Sequence, residues 1–165
     1  MNAAAAVGDD VSSEAFRGAL ARFASGVTIV AVWTADGPAG FTASAFTSVS
    51  LDPPLVLVCV GREVSAHGAV VGASNFGVSI LAEEQRAIAE GLGRRGGKRF
   101  RDVPLRDGAP APLVEGALVQ LTCRRYAAHE AGDHTVLLGE VVRCRERPGA
   151  PLVHCDRRWG RFSPA

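Results

Sequence analysis

Residues 40–50 read Gly40-Phe-Thr-Ala-Ser-Ala-Phe-Thr-Ser-Val-Ser50, a run of small and hydroxyl-bearing residues between two apolar segments. Val27–Trp33 before it is β-branched and almost continuously apolar, and Leu55–Val60 after it is apolar on both faces. Turn residues separate the three segments, so each is predicted as an extended strand. Small side chains let a flat ligand approach the backbone, where hydroxyls and amides can bond its polar edge. Taken alone, the same alternation of Ser and Thr also describes an exposed edge strand.

The rest of the chain predicts further strands and a few short helices. Helices are expected from Ser12 or Ser13 to Gly26, over residues 65–73 and over Glu83–Leu92, and strands over Phe76–Leu81, Ala117–Glu130, His134–Cys144, Leu152–Cys155 and Arg158–Phe162. Residues 93–115, rich in Gly, Pro and Arg, are predicted as a long functional or packing loop. Because strands do not alternate regularly with helices, a doubly wound parallel sheet is excluded. The pattern predicts a mainly β fold, a closed or nearly closed antiparallel barrel with peripheral helices.

Composition excludes several classes of protein. The 165 residues suit one domain, predicted over residues 12–165 after a flexible tail at residues 1–11. Hydrophobic residues at 47% and charged residues at 21% exclude general disorder, and a net charge of +1 provides no global attraction to nucleic acid or membranes. We expect neither a signal peptide nor a membrane span. Four widely spaced cysteines without a C-x-x-C motif predict buried, reduced thiols and a cytoplasmic location.

The glycines of Gly91-Leu-Gly93-Arg-Arg-Gly96 match the G-x-G-x-x-G pattern of dinucleotide-binding turns. That mechanism needs a strand before the glycines and a helix opening at the last of them, so that the helix N-terminus meets a pyrophosphate. Here a helix is predicted before the glycines and an Arg-rich loop after them, which disfavours a dinucleotide-binding turn. Gly97-Lys98 lacks the earlier glycine of a Walker motif.

The loop Arg94–Arg101 holds five cations in eight residues. A solvated loop and an anion clamp for a cofactor phosphate are both compatible with this pattern. Contact with nucleic acid is a weaker alternative, because aromatic residues make up only 6% of the chain and no stacking stripe accompanies the basic run.

The stretch from Gly40 to Pro54 closely resembles the signature of short-chain NAD(P)H:flavin reductases, which have the FMN-binding split-barrel fold. These are the small components of two-component flavin monooxygenases. The resemblance covers about residues 14–163, and it continues, in the family's order and with the family's gaps, in Ser25–Val30, Leu55–Val60, Asn75–Leu81, Lys98–Phe100, Gly132–His134, Leu138–Val141 and Pro151–Leu152.

The resemblance implies a flavin site built from several of these motifs. Residues expected to line the isoalloxazine edge are Thr42, Ala43, Ser44 and Ala45, with Ser48 and Val49 nearby; those bordering the ribityl phosphate are Cys59, Val60, Gly61 and Ser65; Lys98 and Phe100 would close the site, and Arg158 and Trp159 would approach the flavin from the C-terminal segment. The family usually has a second Ser or Asn at the position of Ala45, so one hydrogen bond to the flavin is in question.

His134 is the candidate catalytic residue. A lone histidine at a hairpin edge is more often structural, and its spacing from His129 fits no standard metal site, so no metal is predicted. Within Gly132-Asp133-His134, however, it matches the family histidine that lies beside the nicotinamide. Trp33, at a strand end, is predicted as a core or dimer contact.

The resemblance therefore implies a homodimeric enzyme that passes a hydride from NADH or NADPH to FMN or FAD. The resemblance further implies that the reduced flavin diffuses to a partner oxygenase, with no nucleic acid or membrane involved. Such an enzyme holds two rings in reacting geometry and needs little acid–base chemistry of its own. Two alternatives remain: a split-barrel flavin carrier that does not use nicotinamide, and, more distantly, an RNA-binding barrel.

Overall fold

A computed structural model describes residues 11–93 and 100–164 of the chain. Within these residues it has three α-helices, α1 Ser13–Leu20, α2 His67–Gly72 and α3 Arg86–Gly93, with a 3-10 turn at Glu83–Gln85 before α3. The strands of the described residues are β1 Ser25–Gly26, β2 Thr28–Thr34, β3 Gly37–Ala43, β4 Phe46–Leu51, β5 Pro54–Gly61, β6 Asn75–Ile80, β7 Val119–Ala131, β8 His134–Glu146, β9 Leu152–Cys155 and β10 Arg158–Arg161.

Seven strands form one antiparallel sheet in the order β3-β2-β6-β7-β8-β5-β4. Its two edge strands, β3 and β4, follow each other in the chain and are joined by Ser44 and Ala45 alone. The Cys59 amide of β5 donates a hydrogen bond of 3.0 Å to the Ala45 carbonyl oxygen at this junction. The sheet must therefore curve until its edges meet, which confirms the predicted mainly β, antiparallel barrel.

The barrel core is built from the inward faces of these strands. Val30 and Val32 of β2 point into it together with Phe76 and Leu137, all of which are almost completely buried. The alternate residues of β2 point outward, and Ile29 packs in a second buried cluster against α3. Successive residues of a strand point to opposite faces of the sheet, so the barrel core covers one face of β2 and the second cluster covers the other. This double burial explains its nearly continuous apolar sequence.

A small second sheet, in the order β1-β9-β10, lies beside the barrel. The Leu152 amide of β9 donates to the Leu81 carbonyl oxygen at 3.0 Å, which attaches this sheet to the end of β6. The β9–β10 hairpin turns through Asp156 and Arg157, which have positive φ angles of 51° and 60°. That pair of left-handed residues is the geometry of a tight two-residue hairpin turn.

Several sequence predictions need correction. The predicted single extended stretch at residues 40–50 is two strands, because the chain crosses there from one edge of the sheet to the other. The first helix ends at Leu20 instead of Gly26, since residues 25–26 pair with β9. The apolar face of that helix is exposed, with Phe16 at 58%. Trp33 is 48% exposed and donates its ring N–H to the Ala109 carbonyl oxygen at 3.2 Å, so it is not a core residue.

The four cysteines are free thiols, but only Cys123 is fully buried. Burial raises the pKa of the Cys123 thiol to about 12, so this group stays protonated and unreactive at neutral pH. Cys144 is exposed, and the prediction that the cysteines are buried is wrong for it.

Other predicted features lie partly outside the described residues. Of the predicted tail at residues 1–11, the structure describes only Val11, and residues 94–99 of the basic loop are also outside the described part. Among the residues it does describe, no helix has both the length and the apolar composition that crossing a membrane requires.

Replacing Gly139 with alanine should destabilise the barrel. Gly139 lies on β8 under the ring of Phe76, and an added Cβ would overlap that ring and come within 3.0 Å of the Cys123 Cβ. Overpacking a close-packed core of this kind costs about 1–3 kcal/mol. Urea unfolding of Gly139→Ala should show this loss, whereas Gly160→Ala, at a strand glycine with open space, should change the free energy of unfolding by less than about 0.5 kcal/mol. Equal stability of the two variants would contradict this packing argument.

Candidate active site

Two adjoining pockets form a cleft between β3, α3 and the loops around them. Both are lined by Thr42 and Gly93, so they share one wall. The first pocket, of about 420 Å³, is also lined by Val27, Ser44, Ala89, Glu90, His154 and Trp159. The second, of about 580 Å³, is also lined by Gly40, Phe41, Gly61, Arg62, Glu63, Val64, Ser65, Leu92, Asp133 and His134. Together they offer the space and the mixed polar and apolar lining that a small-molecule site requires.

Thr42 fixes the shared wall. Its hydroxyl donates a hydrogen bond of 2.8 Å to the Ala89 carbonyl oxygen of α3. Gly93 ends the helix so close to Thr42 that an added Cβ would lie 3.7 Å from the threonine side chain. The hydroxyl proton of Thr42 is therefore committed to the helix, and only its oxygen lone pairs and its backbone are available to a ligand.

The other residues predicted at the ring edge are placed differently from one another. Ser44 is exposed and lines the first pocket. Ala43 instead points into the core, and the Ala45 carbonyl oxygen accepts a hydrogen bond from the Cys59 amide of β5. Ser48 and Val49 are exposed on β4, where Val49 is the bulged residue opposite β5. Neither Ser48 nor Val49 lines either pocket, so of this predicted group the cleft brings together Thr42 and Ser44.

The residues predicted near the phosphate lie at the end of β5. Gly61 and Ser65 line the second pocket. Val60 is fully buried in the barrel core, and Cys59 is half-buried one residue before it. Alternation along β5 thus turns the Val60 side chain away from the cleft and leaves the loop after Gly61 to form its wall.

His134 begins β8 directly opposite Gly61 and lines the second pocket. A Cβ added to Gly61 would meet the imidazole Nε2 at 3.5 Å, so the glycine leaves room for the ring. The other ring nitrogen, Nδ1, is 2.7 Å from the Asp133 carboxylate. This bond and the charge of His134 hold the pKa of the fully exposed Asp133 carboxyl below its usual range, so Asp133 is ionised at neutral pH. The carboxylate orients the imidazole and leaves Nε2 directed toward Gly61.

The C-terminal hairpin supplies an aromatic wall to the first pocket. Trp159 lines this pocket and packs against His154, with ring centroids 5.0 Å apart and planes tilted by 57°. Arg158 lies outside the pocket and is 81% exposed, with Asp156 at 3.7 Å. Phe100 is buried in the second cluster behind α3, and Lys98 lies outside the described residues.

A family model described as a flavin reductase like domain matches residues 20–163 of the chain. The chain belongs to this family. It is 41% identical over 153 residues to the FMN reductase (NADH) SmoA of Agrobacterium fabrum, covering 92% of this chain and 87% of that protein. It is also 41% identical, over 90% of its length and 96% of the relative, to the reductase component of 4-hydroxyphenylacetate 3-monooxygenase from Thermus thermophilus.

A solved structure of Streptomyces globisporus NADH:FAD oxidoreductase SgcE6, in complex with NAD and FAD fragments, has the same fold. Its TM-score is 0.87 at 36% identity, covering 97% of this chain and 98% of that one. The predicted family, the split-barrel fold, the oxidoreductase class and the use of flavin with a nicotinamide coenzyme are therefore confirmed.

Sequence reasoning missed the contribution of α3 to the flavin reductase cleft. Residues of this helix that line the pockets include Glu90, Leu92 and Gly93. The sequence predicted the helix but assigned it no role in the site. It also missed His154, whose contact with Trp159 depends on the pairing of β9 with β10. No motif in the sequence indicated that Arg62 belongs to the site. The turn after β5 places it in the second pocket.

Proposed function

We propose that this flavin reductase binds its flavin across both pockets, with the ring system beside Thr42, Ser44 and Trp159 and the phosphate end near Gly61 and Ser65. The reduced nicotinamide would then lie beside His134. The observation that supports this arrangement is the convergence of six separate segments of the chain on two pockets that share Thr42 and Gly93.

The residues of the cleft suit a reaction in which positioning does most of the work. Flavin, when bound, supplies the hydride-accepting chemistry, and the protein supplies orientation and a partly enclosed site. His134, held by Asp133, would present Nε2 to the nicotinamide end of the coenzyme and fix its position. Trp159 offers an apolar ring surface on the other side of Thr42. Correct orientation of two reactants alone can lower a barrier by about 7–11 kcal/mol in favourable cases.

The exposed helix α1 supports a homodimer. In a single subunit this helix has no buried residue, and eight residues are too few for a stable isolated helix. Phe16 and Leu20 lie one turn apart on one face of the helix and Phe23 follows its end; the three side chains are 58%, 52% and 76% exposed. Contiguous apolar surface of this kind marks an interaction site. A second copy of the chain covering this face would bury it and stabilise the helix.

The reduced flavin is proposed to pass to a partner oxygenase. The relatives named as monooxygenase reductase components, and the structural neighbour BorF, named as the flavin reductase component of a two-component tryptophan halogenase, support this role. Free thiols and the absence of a disulfide among the described cysteines fit a cytoplasmic enzyme.

The purified protein should oxidise NADH in a reaction that depends on added FMN or FAD. The expected result in a stopped-flow experiment is loss of the visible absorbance of oxidised flavin when NADH is mixed anaerobically with protein and flavin. NADPH in place of NADH measures the coenzyme preference. Binding of flavin without bleaching by either coenzyme would favour the carrier alternative, and neither binding nor bleaching would refute the assignment.

His134→Ala should lower the rate of flavin reduction or raise the KM for the nicotinamide coenzyme by about 10- to 100-fold. The reason is the loss of the group that positions the coenzyme, so flavin affinity and the melting temperature should change little. His129→Ala is the matched control, because His129 is an exposed histidine of the same hairpin outside both pockets. A lower melting temperature with unchanged kinetics would show that His134 is structural.

A charge on the apolar face of α1 should dissociate the proposed dimer. Sedimentation velocity is expected to show a dimer for the native chain and a monomer for the double variant Phe16→Asp/Leu20→Asp, because two carboxylates cannot be buried there without partners. Gly18→Asp places one carboxylate on the opposite face of the helix, where an added Cβ meets open space, and should leave the dimer intact. A native monomer at micromolar concentration would refute the homodimer.

A further inference from the structure

Glu90 is the only Asp, Glu, Lys or Arg among the described residues that line the first pocket. It lies on α3 directly after Ala89, whose carbonyl oxygen accepts the hydrogen bond of 2.8 Å from the Thr42 hydroxyl. Ala89 is 1% exposed, so the helix is packed firmly against the barrel at this point. The acidic side chain therefore projects from a rigid part of the wall into the pocket that also contains Ser44 and Trp159.

The counter-ion of Glu90 lies outside the cleft. Arg86, one helical turn earlier, donates a hydrogen bond of 2.8 Å from Nε to the Glu90 carboxylate, but it lines neither pocket. The Arg86 side chain is 59% exposed and that of Glu90 is 33% exposed. Because water screens the more exposed guanidinium more strongly, the pair does not cancel the carboxylate charge on the pocket side. A ligand in the first pocket thus meets the negative end of this ion pair.

Reduction changes the charge of the flavin ring system. Two electrons and one hydrogen pass as a hydride from C4 of the reduced nicotinamide to N5 of the flavin, and the nicotinamide becomes a pyridinium cation. The oxidised ring system is neutral, whereas the reduced one carries one negative charge until it takes up a proton at N1. Like charges repel each other more strongly in a partly enclosed site than in bulk water. A carboxylate beside the ring therefore acts mainly on the reduced flavin.

We propose that Glu90 weakens the binding of reduced flavin relative to oxidised flavin and so promotes release of the product. The inference rests on the proposed function, which places the flavin ring system in the first pocket, and it assigns the release step to one side chain. By thermodynamic linkage, the same repulsion lowers the reduction potential of the bound flavin, because the reduced form is bound less tightly than the oxidised form.

Glu90→Gln keeps the size of the side chain and removes its charge. The probe is whichever of FMN and FAD the native chain binds more tightly, used oxidised and, under anaerobic conditions, after reduction by dithionite. Quenching of tryptophan fluorescence measures the Kd of each form without any nicotinamide. The Kd of the reduced form should fall by about 5-fold and that of the oxidised form should change by less than about twofold. For a two-electron couple, this raises the potential of the bound flavin by roughly 20 mV.

Arg86→Gln separates the charge of Glu90 from a structural role of the ion pair. Removing the guanidinium leaves the carboxylate uncompensated, so the Kd of reduced flavin should rise by about twofold, opposite to the change in Glu90→Gln. A pair that only held α3 in place would give changes of the same sign in both variants. Glu140→Gln is the matched control, because Glu140 pairs with Arg124 at 2.7 Å, is 25% exposed and lies outside both pockets. It should leave the ratio of the two Kd values unchanged.

Chemical reduction of the flavin keeps the inference separate from turnover. If the native chain binds flavin but NADH does not reduce it, the proposed function fails, whereas opposite shifts in Glu90→Gln and Arg86→Gln still support the inference. An unchanged ratio of Kd values in Glu90→Gln, changes of the same sign in both variants, or a native chain that binds neither form of flavin would overturn it.

Discussion

The connection of only two residues, Ser44 and Ala45, between strands β3 and β4 is the constraint on which the architecture depends. These strands lie at opposite edges of a seven-stranded sheet, so the sheet must curve until the end of β3 meets the start of β4. The same short connection brings Ser44 to the surface as a wall of the cleft. Closure of the fold and formation of the site therefore depend on the same residues.

Close approach of backbones then positions the rest of the cleft. Gly40 lets β3 lie against β2, since a Cβ at this position would overlap the Val30 carbonyl oxygen. The Thr42 side chain, two residues along the same strand, can consequently reach α3 and bond to the Ala89 carbonyl oxygen. The helix in turn packs through Ala89 on the outer face of β2. A ligand in either pocket thus meets a wall held by the barrel itself, and such preorganisation lowers the cost of binding.

The charges of the cleft are few and lie mainly in the second pocket. Asp133 is bonded to His134, and Arg62 is paired with Glu130. Both pairs lie at the β7–β8 turn and the start of the loop after β5, and both are solvent-exposed. The first pocket instead offers the Trp159 and His154 rings with Ser44. The described residues thus divide the cleft into a charged pocket and an aromatic one.

The sequence by itself was sufficient to predict most of the strands, because β-branched, apolar runs such as those of β2 and β5 are a local signal of extended structure. It did not separate β3 from β4, whose boundary depends on the path of the chain across the sheet. The signature at residues 40–54 was also sufficient for the family and for Thr42 and Ser44 as candidates for the cleft, and the motif Gly132-Asp133-His134 was sufficient for His134. The tertiary structure alone decided which neighbours in the sequence face the ligand, turning Ala43 and Val60 into the core. It also brought α3, His154 and Arg62 to the site, since they meet only through strand pairing and helix packing between residues far apart in the chain. Such long-range contacts have no counterpart in local periodicity, and that is the physical reason the sequence could not disclose them.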